Sequence, residues 1–148
     1  MSRFKKLADE AYDKCDRYNR DQIVGVNIFR GALESRSPSP FDVVDDFEAA
    51  LCKYTGAPFA VAVNSCTNAL LLCCVYHQVD VVSIPKRTYV GVAQSILNAG
   101  GKVAFDDRRW RGAYQLNPYP IFDSARRFTG RMYLGGFQCV SFHVAKHL

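Results

Sequence analysis

Residues 59 to 107 read FAVAVNSCTNALLLCCVYHQVDVVSIPKRTYVGVAQSILNAGGKVAFDD, and this stretch decides the fold class. Its apolar pattern predicts strands at 59–63, 79–84 and 102–105, and helices at 66–77 and 88–99. Strands separated by helices of about a dozen residues predict parallel crossovers. We therefore expect an α/β fold, with flanking helices and a mainly parallel sheet of about five strands.

The flanking sequence extends this architecture. Upstream, an apolar stripe predicts a helix over 3–18, a Ser-Pro-rich irregular arm fills 20–40, and a second helix runs from about Phe41 to a terminating Gly56. Downstream, we predict strands at 119–122 and 138–142, a short helix at 124–128 and an arginine-rich loop before the first of these. We expect residues 1–148 to form a single domain, with 1–40 as its N-terminal helix and arm.

Composition favours a soluble cytoplasmic protein. The chain has 148 residues, 49% of them hydrophobic and 22% charged, and none of its apolar runs approaches the roughly 20 residues that span a bilayer. The N-terminus lacks the apolar core of a secretory signal, so we expect no membrane partner. Six cysteines without CxxC spacing predict reduced thiols and no metal site.

Arginines cluster on a chain of net charge +5. The clusters are Arg108, Arg109 and Arg111, and then Arg126, Arg127 and Arg131. A solvated surface, contacts to an anionic ligand such as a nucleotide diphosphate, and nucleic-acid binding would each use such residues. The sequence contains no recognised nucleic-acid motif, which argues against the last of these.

Three candidate groups follow predicted strands, where ligands collect in parallel sheets. Ser65-Cys66-Thr67 links a strand to a helix, so its backbone N–H groups and hydroxyls would bind a phosphate or simply cap the helix. Asp123 ends a strand, where a carboxylate either holds a pyridine nitrogen protonated or caps the following turn. Lys146, near the chain end, is either a reactive amine or a solvated side chain.

Two further residues belong with these candidates. Tyr89 opens a predicted helix, where its ring would stack on a planar cofactor or pack half-buried in the core. Ser141 would donate to the same phosphate as Ser65. A phosphate cradle, a buried acid and a lysine in this order are the parts that a pyridoxal phosphate enzyme needs.

The combined pattern resembles the DegT/StrS sugar-nucleotide aminotransferases, which have the aspartate aminotransferase fold (fold type I). The resemblance is carried by FEAALCKYTGAPFAVAVNSCTNALLL, VVSIPKRTYVGVAQSILNAGGKVAFDD, PIFDSARRFTG and VSFHVAK. The last is similar to the Ser-Phe-His-x-x-Lys motif of the family. Together these stretches cover well over half the chain, and they imply a shortened large domain that stops just after the lysine motif.

The resemblance also implies roles for residues. Lys146 would form the internal aldimine with pyridoxal 5′-phosphate, Asp123 would pair with the pyridine nitrogen, and Tyr89 would stack on the ring. Phosphate contacts would come from Ser65, Cys66, Thr67 and Ser141. The implied reaction moves an amino group from an amino-acid donor, commonly glutamate, to a keto sugar nucleotide, in a homodimer.

Two positions depart from the family pattern. Cys66 replaces the glycine of the phosphate loop, and Arg126 stands where the family usually has Gln or His, which makes it a candidate substrate-binding residue. One alternative is therefore a non-catalytic binding or assembly protein that holds a nucleotide sugar through Arg108, Arg109 and Arg126. Another is the N-terminal part of a split enzyme.

Overall fold

The computed structural model describes residues 42–147. The chain divides between Ala62 and Val63 into two compact units, which are described separately. The helix predicted over 3–18 and the arm over 20–40 lie outside the described residues, and the single domain over 1–148 stays a prediction. No helix in residues 42–147 has the length and apolarity needed to cross a membrane.

The described part of the first unit is built on one helix, α1, Asp42–Thr55. Asp42 and Asp45 lie in its first turn and Lys53 in its last, so the charges complement the helix dipole at both ends. Gly56 has φ +79° and donates its N–H to the carbonyl of Cys52 at 2.9 Å. That left-handed residue ends the helix where the sequence predicts.

The strand predicted at 59–63 is wrong. These residues have no strand structure, and the side chain of Val61 is 72% exposed. The N–H of Ala62 is donated to Glu48 Oε1 at 2.6 Å, so this backbone group bonds a carboxylate on α1. Alternating apolar residues form a strand only where a neighbouring strand accepts such groups.

The second unit contains the remaining helices and all strands of the described residues. The helices are α2, Cys66–Tyr76, α3, Val90–Asn98, and α4, Val144–His147. The strands are β1, Val81–Pro85, β2, Lys102–Asp106, β3, Tyr114–Gln115, β4, Ile121–Asp123, and β5, Phe137–Cys139. The unit is α/β, with α3 crossing between the parallel strands β1 and β2.

The strands form a two-stranded sheet and a three-stranded sheet that meet at one bridge. β1 pairs with β2, and β4 lies between β3 and β5. Ser83 in β1 and Asn117, just beyond β3, exchange backbone hydrogen bonds of 2.8 and 3.2 Å. Because β3 is antiparallel to β4 and this bridge is antiparallel too, the other four strands share one direction.

Two predictions for residues 107–128 are wrong. The arginine-rich loop contains β3, because Tyr114 and Leu116 are buried and alternate with half-buried Gln115. The short helix at 124–128 is a turn. The N–H of Ala125 donates to Asp123 Oδ1, and the N–H of Arg127 donates to the carbonyl of Ser124. These hydrogen bonds close a turn, and no run of i to i−4 bonds follows from them.

The core of the second unit lies between α2, α3 and the strands. The side chains of Ile84, Ile96, Leu116 and Ile121 are fully buried there. Such closely packed aliphatic residues fix the strand ends in place. The carboxyl ends of β1, β2, β4 and β5 therefore share one edge, at which α2 and α3 begin.

Candidate active site

Asp123 is the buried acid at the carboxyl end of β4. It is 6% exposed, and its two oxygens accept from the Tyr114 hydroxyl at 2.8 Å and from the N–H of Ala125 at 3.0 Å. Burial raises the pKa of Tyr114 well above its ordinary value, and the charge of Asp123 adds to the effect. Tyr114 is therefore neutral and remains a donor to the carboxylate.

Tyr114 is a site residue that the sequence reasoning missed. Its hydroxyl is shared between Asp123 and the side chain of Thr88, which precedes α3. The link therefore joins three elements at the same edge. The alternation Tyr114-Gln115-Leu116 was the available signal, since it predicts a strand whose tyrosine faces inward.

Cys66 begins α2 and lies close to both the acid and the lysine. Its thiol donates to the carbonyl of Cys139, 3.5 Å away. Burial, with the negative charge of Asp123 adding to its effect, raises the pKa of Cys66 to about 12, while the positive charge of Lys146 acts in the opposite sense. The thiol is therefore neutral, and the structure brings both Asp123 and Lys146 within electrostatic range of Cys66.

Ser65 caps α2. Its hydroxyl oxygen accepts from the N–H of Asn68 at 3.1 Å, which is the capping alternative that the sequence left open. A hydroxyl that accepts one bond still has a proton to donate. The N–H groups of Cys66 and Thr67 belong to the first helical turn, which has no carbonyl partner inside the helix. Capping and anion binding are therefore compatible here.

Tyr89 lies beside Lys146 rather than in the core. It is the N-cap residue of α3 and is 65% exposed, so the half-buried alternative is wrong. Lys146 Nζ lies 5.9 Å from the centre of its ring, within the range of a cation–π contact. A Cβ on Gly91 would come 2.6 Å from the ring, so only glycine there lets the tyrosine lie back over the helix.

Ser141 and Arg126 lie at the same edge with other contacts. Ser141 follows β5, and its hydroxyl accepts from the N–H of His143 at 3.4 Å. Arg126 is exposed in the turn after β4 and lines an open cleft of about 1070 Å³. Arg108 and Arg109, the other two arginines predicted to contact a nucleotide sugar, line the same cleft.

The cleft is strongly basic. It is lined by six basic and two acidic side chains together with Trp110 and Gly112; the charged residues are Lys86, Arg87, Arg108, Arg109, Arg111, Arg126, Asp106 and Asp107. Arg108 is a structural residue, because Nη2 donates to the carbonyls of Ser83 and Gln115 at 2.8 Å each. Its Nε also lies 3.3 Å from Asp106 Oδ1, so the guanidinium is largely committed.

No group of three or more His, Cys, Asp or Glu side chains within residues 42–147 is arranged to hold a metal ion. The groups that this sheet edge presents are the Lys146 amine, the buried carboxylate of Asp123 and the first turn of α2.

Comparison with known proteins gives a consistent family signal. Residues 26–119 match the DegT/DnrJ/EryC1/StrS aminotransferase family. Two curated relatives, UDP-4-amino-4,6-dideoxy-N-acetyl-beta-L-altrosamine transaminases from two Campylobacter jejuni subsp. jejuni strains, serotypes O:2 and O:23/36, are each 39% identical over 66 residues. These matches cover 43% of this chain and 18% of each relative. No solved structure is significantly similar.

The family match has a defined extent within the candidate site. It includes Ser65, Cys66, Thr67 and Tyr89, and it ends before Asp123 and Lys146.

Proposed function

The chain belongs to the DegT/DnrJ/EryC1/StrS aminotransferase family, and we propose that it is a pyridoxal phosphate-dependent sugar aminotransferase in which Lys146 is the catalytic residue. The observation that carries the proposal is that Asp123 and Lys146 both lie within electrostatic range of Cys66 in the first turn of α2, with Lys146 Nζ 5.9 Å from the centre of the Tyr89 ring. Members of this family generally use that cofactor. The fold would be a shortened fold-type-I large domain.

The groups at this edge fit the polar parts of the cofactor. The first turn of α2 and the hydroxyls of Ser65 and Thr67 would hold the phosphate, with Ser141 as a further donor. Asp123 keeps unused lone pairs on both oxygens after its two hydrogen bonds, so it would also accept from a protonated pyridine nitrogen. The exposed ring of Tyr89 offers a stacking surface beside the lysine amine.

Each residue would then have a definite task in amino transfer. The cofactor, when bound, supplies an electron sink for carbanion chemistry. The negative charge of Asp123 would keep the proton on the ring nitrogen, and Tyr114 would hold that carboxylate in position. Lys146 Nζ would hold the reactive carbon of the cofactor and would carry a proton between the reacting carbons. Cys66, as a neutral thiol, adds no charge beside the phosphate.

The proposed substrates are an amino-acid donor, with glutamate first, and a keto sugar nucleotide. The support is the name of the curated relatives, which are transaminases of a UDP-linked amino sugar. The matches to those relatives cover less than a fifth of their length. We propose a homodimer, in line with the exposure of large apolar residues on the edge strand β2 and on α3, where Phe105 is 56% and Leu97 57% exposed.

The absorption spectrum of the purified protein with pyridoxal phosphate tests this function. We expect a visible band distinct from that of free cofactor, and its loss in Lys146→Ala. Lys102→Ala is the control, because Lys102 is also an exposed lysine but lies at the start of β2. If wild type and Lys146→Ala give the same spectrum as free cofactor, the enzyme proposal fails for this chain.

A second candidate function is non-catalytic binding of a nucleotide sugar. The basic cleft favours it, since Arg109, Arg111 and Arg126 are exposed around a polar space of suitable volume. Arg108 is the exception in this cleft, because its Nη2 donates to two backbone carbonyls within the fold. Calorimetric titration with UDP tests the idea: Arg126→Ala should weaken binding, and Arg131→Ala should leave it unchanged. Equal affinities for UDP in the two variants would show that this cleft is not the binding site.

A further inference from the structure

Three cysteines meet where α2 packs against β5. Cys73 Sγ lies 3.8 Å from Cys139 Sγ, and Cys66 Sγ is bonded to the carbonyl of Cys139. Cys66 and Cys73 are seven residues apart on α2, which is about two helical turns, so both side chains face the strand. All three are free thiols in the structure.

We propose that Cys73 and Cys139 are a redox-sensitive pair, which a hydroperoxide converts into a disulfide between α2 and β5. The pair lies beside the candidate site, yet the inference does not depend on the proposed cofactor. It assigns these two thiols a reaction that amino transfer does not use.

The exposure and polarity of the two thiols assign their order of reaction. Cys73 is half-buried, whereas Cys139 is 3% exposed, so the peroxide reaches Cys73 first. Either thiol can donate in the contact between Cys73 and Cys139, and donation by Cys139 stabilises the Cys73 thiolate and so lowers the pKa of Cys73. Cys73 is thereby the better nucleophile, because the thiolate is the reactive form.

The reaction balances in two steps. The Cys73 thiolate attacks one oxygen of hydrogen peroxide, which breaks the O–O bond and, with one proton, releases water and leaves a sulfenic acid. Cys139 sulfur then attacks Cys73 sulfur; its thiol proton joins the departing hydroxyl to form a second water. Two thiols are oxidised to one disulfide as one peroxide is reduced to two waters.

Formation of this bond requires the two sulfurs to move closer together. A disulfide S–S distance is about 2.0 Å, so the sulfurs must approach by about 2 Å from their separation of 3.8 Å. Cys139 is the register partner of Asp123 in the β4–β5 pair. The new bond would therefore fasten the helix that begins at Cys66 to the strand beside the buried acid.

Cys74 and Cys66 are the natural controls. Cys74 is adjacent to Cys73 but fully buried in the core, where burial raises its pKa to about 12. Cys66 faces the same strand, but its thiol is bonded to a carbonyl oxygen, not to sulfur. Neither sulfur is expected to bond to Cys139.

Peptide mapping after peroxide treatment tests the pairing in the full chain. Trypsin cuts after Lys53, Lys86, Arg131 and Lys146, which places Cys66, Cys73 and Cys74 in peptide 54–86 and Cys139 in peptide 132–146. We expect peroxide to link these two peptides, and dithiothreitol to separate them. The link should persist in Cys66→Ala and Cys74→Ala and disappear in Cys73→Ala.

Wild-type protein alone gives a second, independent measurement should a variant not fold. After peroxide, Cys73 and Cys139 should resist alkylation in denaturant together, while dithiothreitol restores both. A link that survives in Cys73→Ala would overturn the proposal. So would alkylation of both thiols after an exposure to peroxide that oxidises free cysteine in the same solution.

Discussion

At the scale of single residues, Tyr114 determines how the buried acid is held. Its hydroxyl is the only side-chain donor bonded to Asp123 among residues 42–147, and the bond of 2.8 Å is made inside the core. Hydrogen bonds to charged groups contribute about 1.5–3 kcal/mol, more than bonds between neutral groups. Loss of this hydroxyl therefore leaves a buried carboxylate with one donor fewer.

We predict that Tyr114→Phe lowers the free energy of unfolding by about 1.5–3 kcal/mol in chemical denaturation. Tyr119→Phe is the control, because the Tyr119 hydroxyl accepts from the neutral N–H of Asp80 at an exposed position. Its expected cost is about 0.5–1.5 kcal/mol. An equal loss of unfolding free energy in the two variants would show that the hydrogen bond to Asp123 contributes no more to stability than the bond between Tyr119 and Asp80.

We expect His77 to make the stability of the folded protein depend on pH near neutrality. Its ring packs edge-on against Phe137, with centroids 5.1 Å apart, and Nε2 is buried without a hydrogen-bond partner among residues 42–147. Burial lowers the pKa of His77 below its ordinary 6.5. The folded state then binds fewer protons at this ring than the unfolded chain does. Its contribution to stability is complete above pH 6.5 and is lost as the pH falls through the folded pKa.

We therefore predict that the melting temperature falls between pH 7.5 and pH 5.5, and that His77→Phe reduces this slope. His143→Gln serves as the control, because His143 is exposed after β5. Thermal melts at several pH values measure the effect. A slope that is the same in wild type and His77→Phe would contradict this assignment.

At the scale of elements, the pairing of β4 with β5 places the acid at the site edge. β5 begins after Gly135 and Gly136, which both have positive φ, +103° and +69°. A Cβ on Gly136 would lie 2.5 Å from the carbonyl oxygen of Pro120, whereas one on Gly135 would meet open space. The same oxygen accepts the N–H of Phe137 at 2.8 Å, where β4 and β5 begin to pair. A Cβ on Gly136 would therefore disturb the first contact between these two strands.

We predict that Gly136→Ala is less stable than Gly135→Ala by about 1–3 kcal/mol, which is a typical cost of overpacking. The two variants share a left-handed backbone, so their difference isolates the contact with Pro120. Denaturant unfolding measures both. Equal destabilisation would mean that the strand start adjusts without loss, and it would weaken the argument that β5 is fixed here.

At the scale of the whole molecule, the order of most elements was predictable and some of the partners were not. The crossover β1–α3–β2 follows directly from periodicity, and the bounds of α2 and β2 differ from the prediction by one residue. Residues 59–63 have the pattern of a strand, but the N–H of Ala62 bonds Glu48 instead. Pattern alone does not specify where a partner strand lies. The opposite error occurs at β3, Tyr114–Gln115, where a strand of two residues gives too short an alternation to stand out in a loop.

In the candidate site, too, some residues were predictable from the sequence and others were not. Lys146, Asp123 and Ser65-Cys66-Thr67 were predicted from their positions after strands, and Asp123 and Lys146 both lie within electrostatic range of Cys66, although residues 59–63 before Ser65 form no strand. Tyr114 was missed because its role depends on antiparallel pairing with Asp123, a contact between residues nine apart across a turn. The commitment of Arg108 to two backbone carbonyls was equally invisible in a run of arginines.

The proposed dimer is a prediction about the whole chain. A mass twice the 16.6 kDa of one chain is expected in sedimentation equilibrium. Phe105→Glu on β2 should shift that mass to 16.6 kDa, because a carboxylate would be buried without a partner. Phe142→Glu is the control, since Phe142 lies away from that edge, after β5. A dimer mass in Phe105→Glu would exclude β2 from the interface.

The assignment of Lys146 as the catalytic lysine is tested most directly by locating the cofactor after borohydride reduction, using peptide mass spectrometry of the full chain. We expect a pyridoxyl group on Lys146. Because trypsin does not cut after a modified lysine, the labelled peptide should begin at Met132 and continue past Lys146. We expect the same label in Lys102→Ala and none on that peptide in Lys146→Ala. A label spread over surface lysines, or one fixed on Lys86 or Lys102 with Lys146 unmodified, would contradict the assignment of Lys146 as the catalytic lysine.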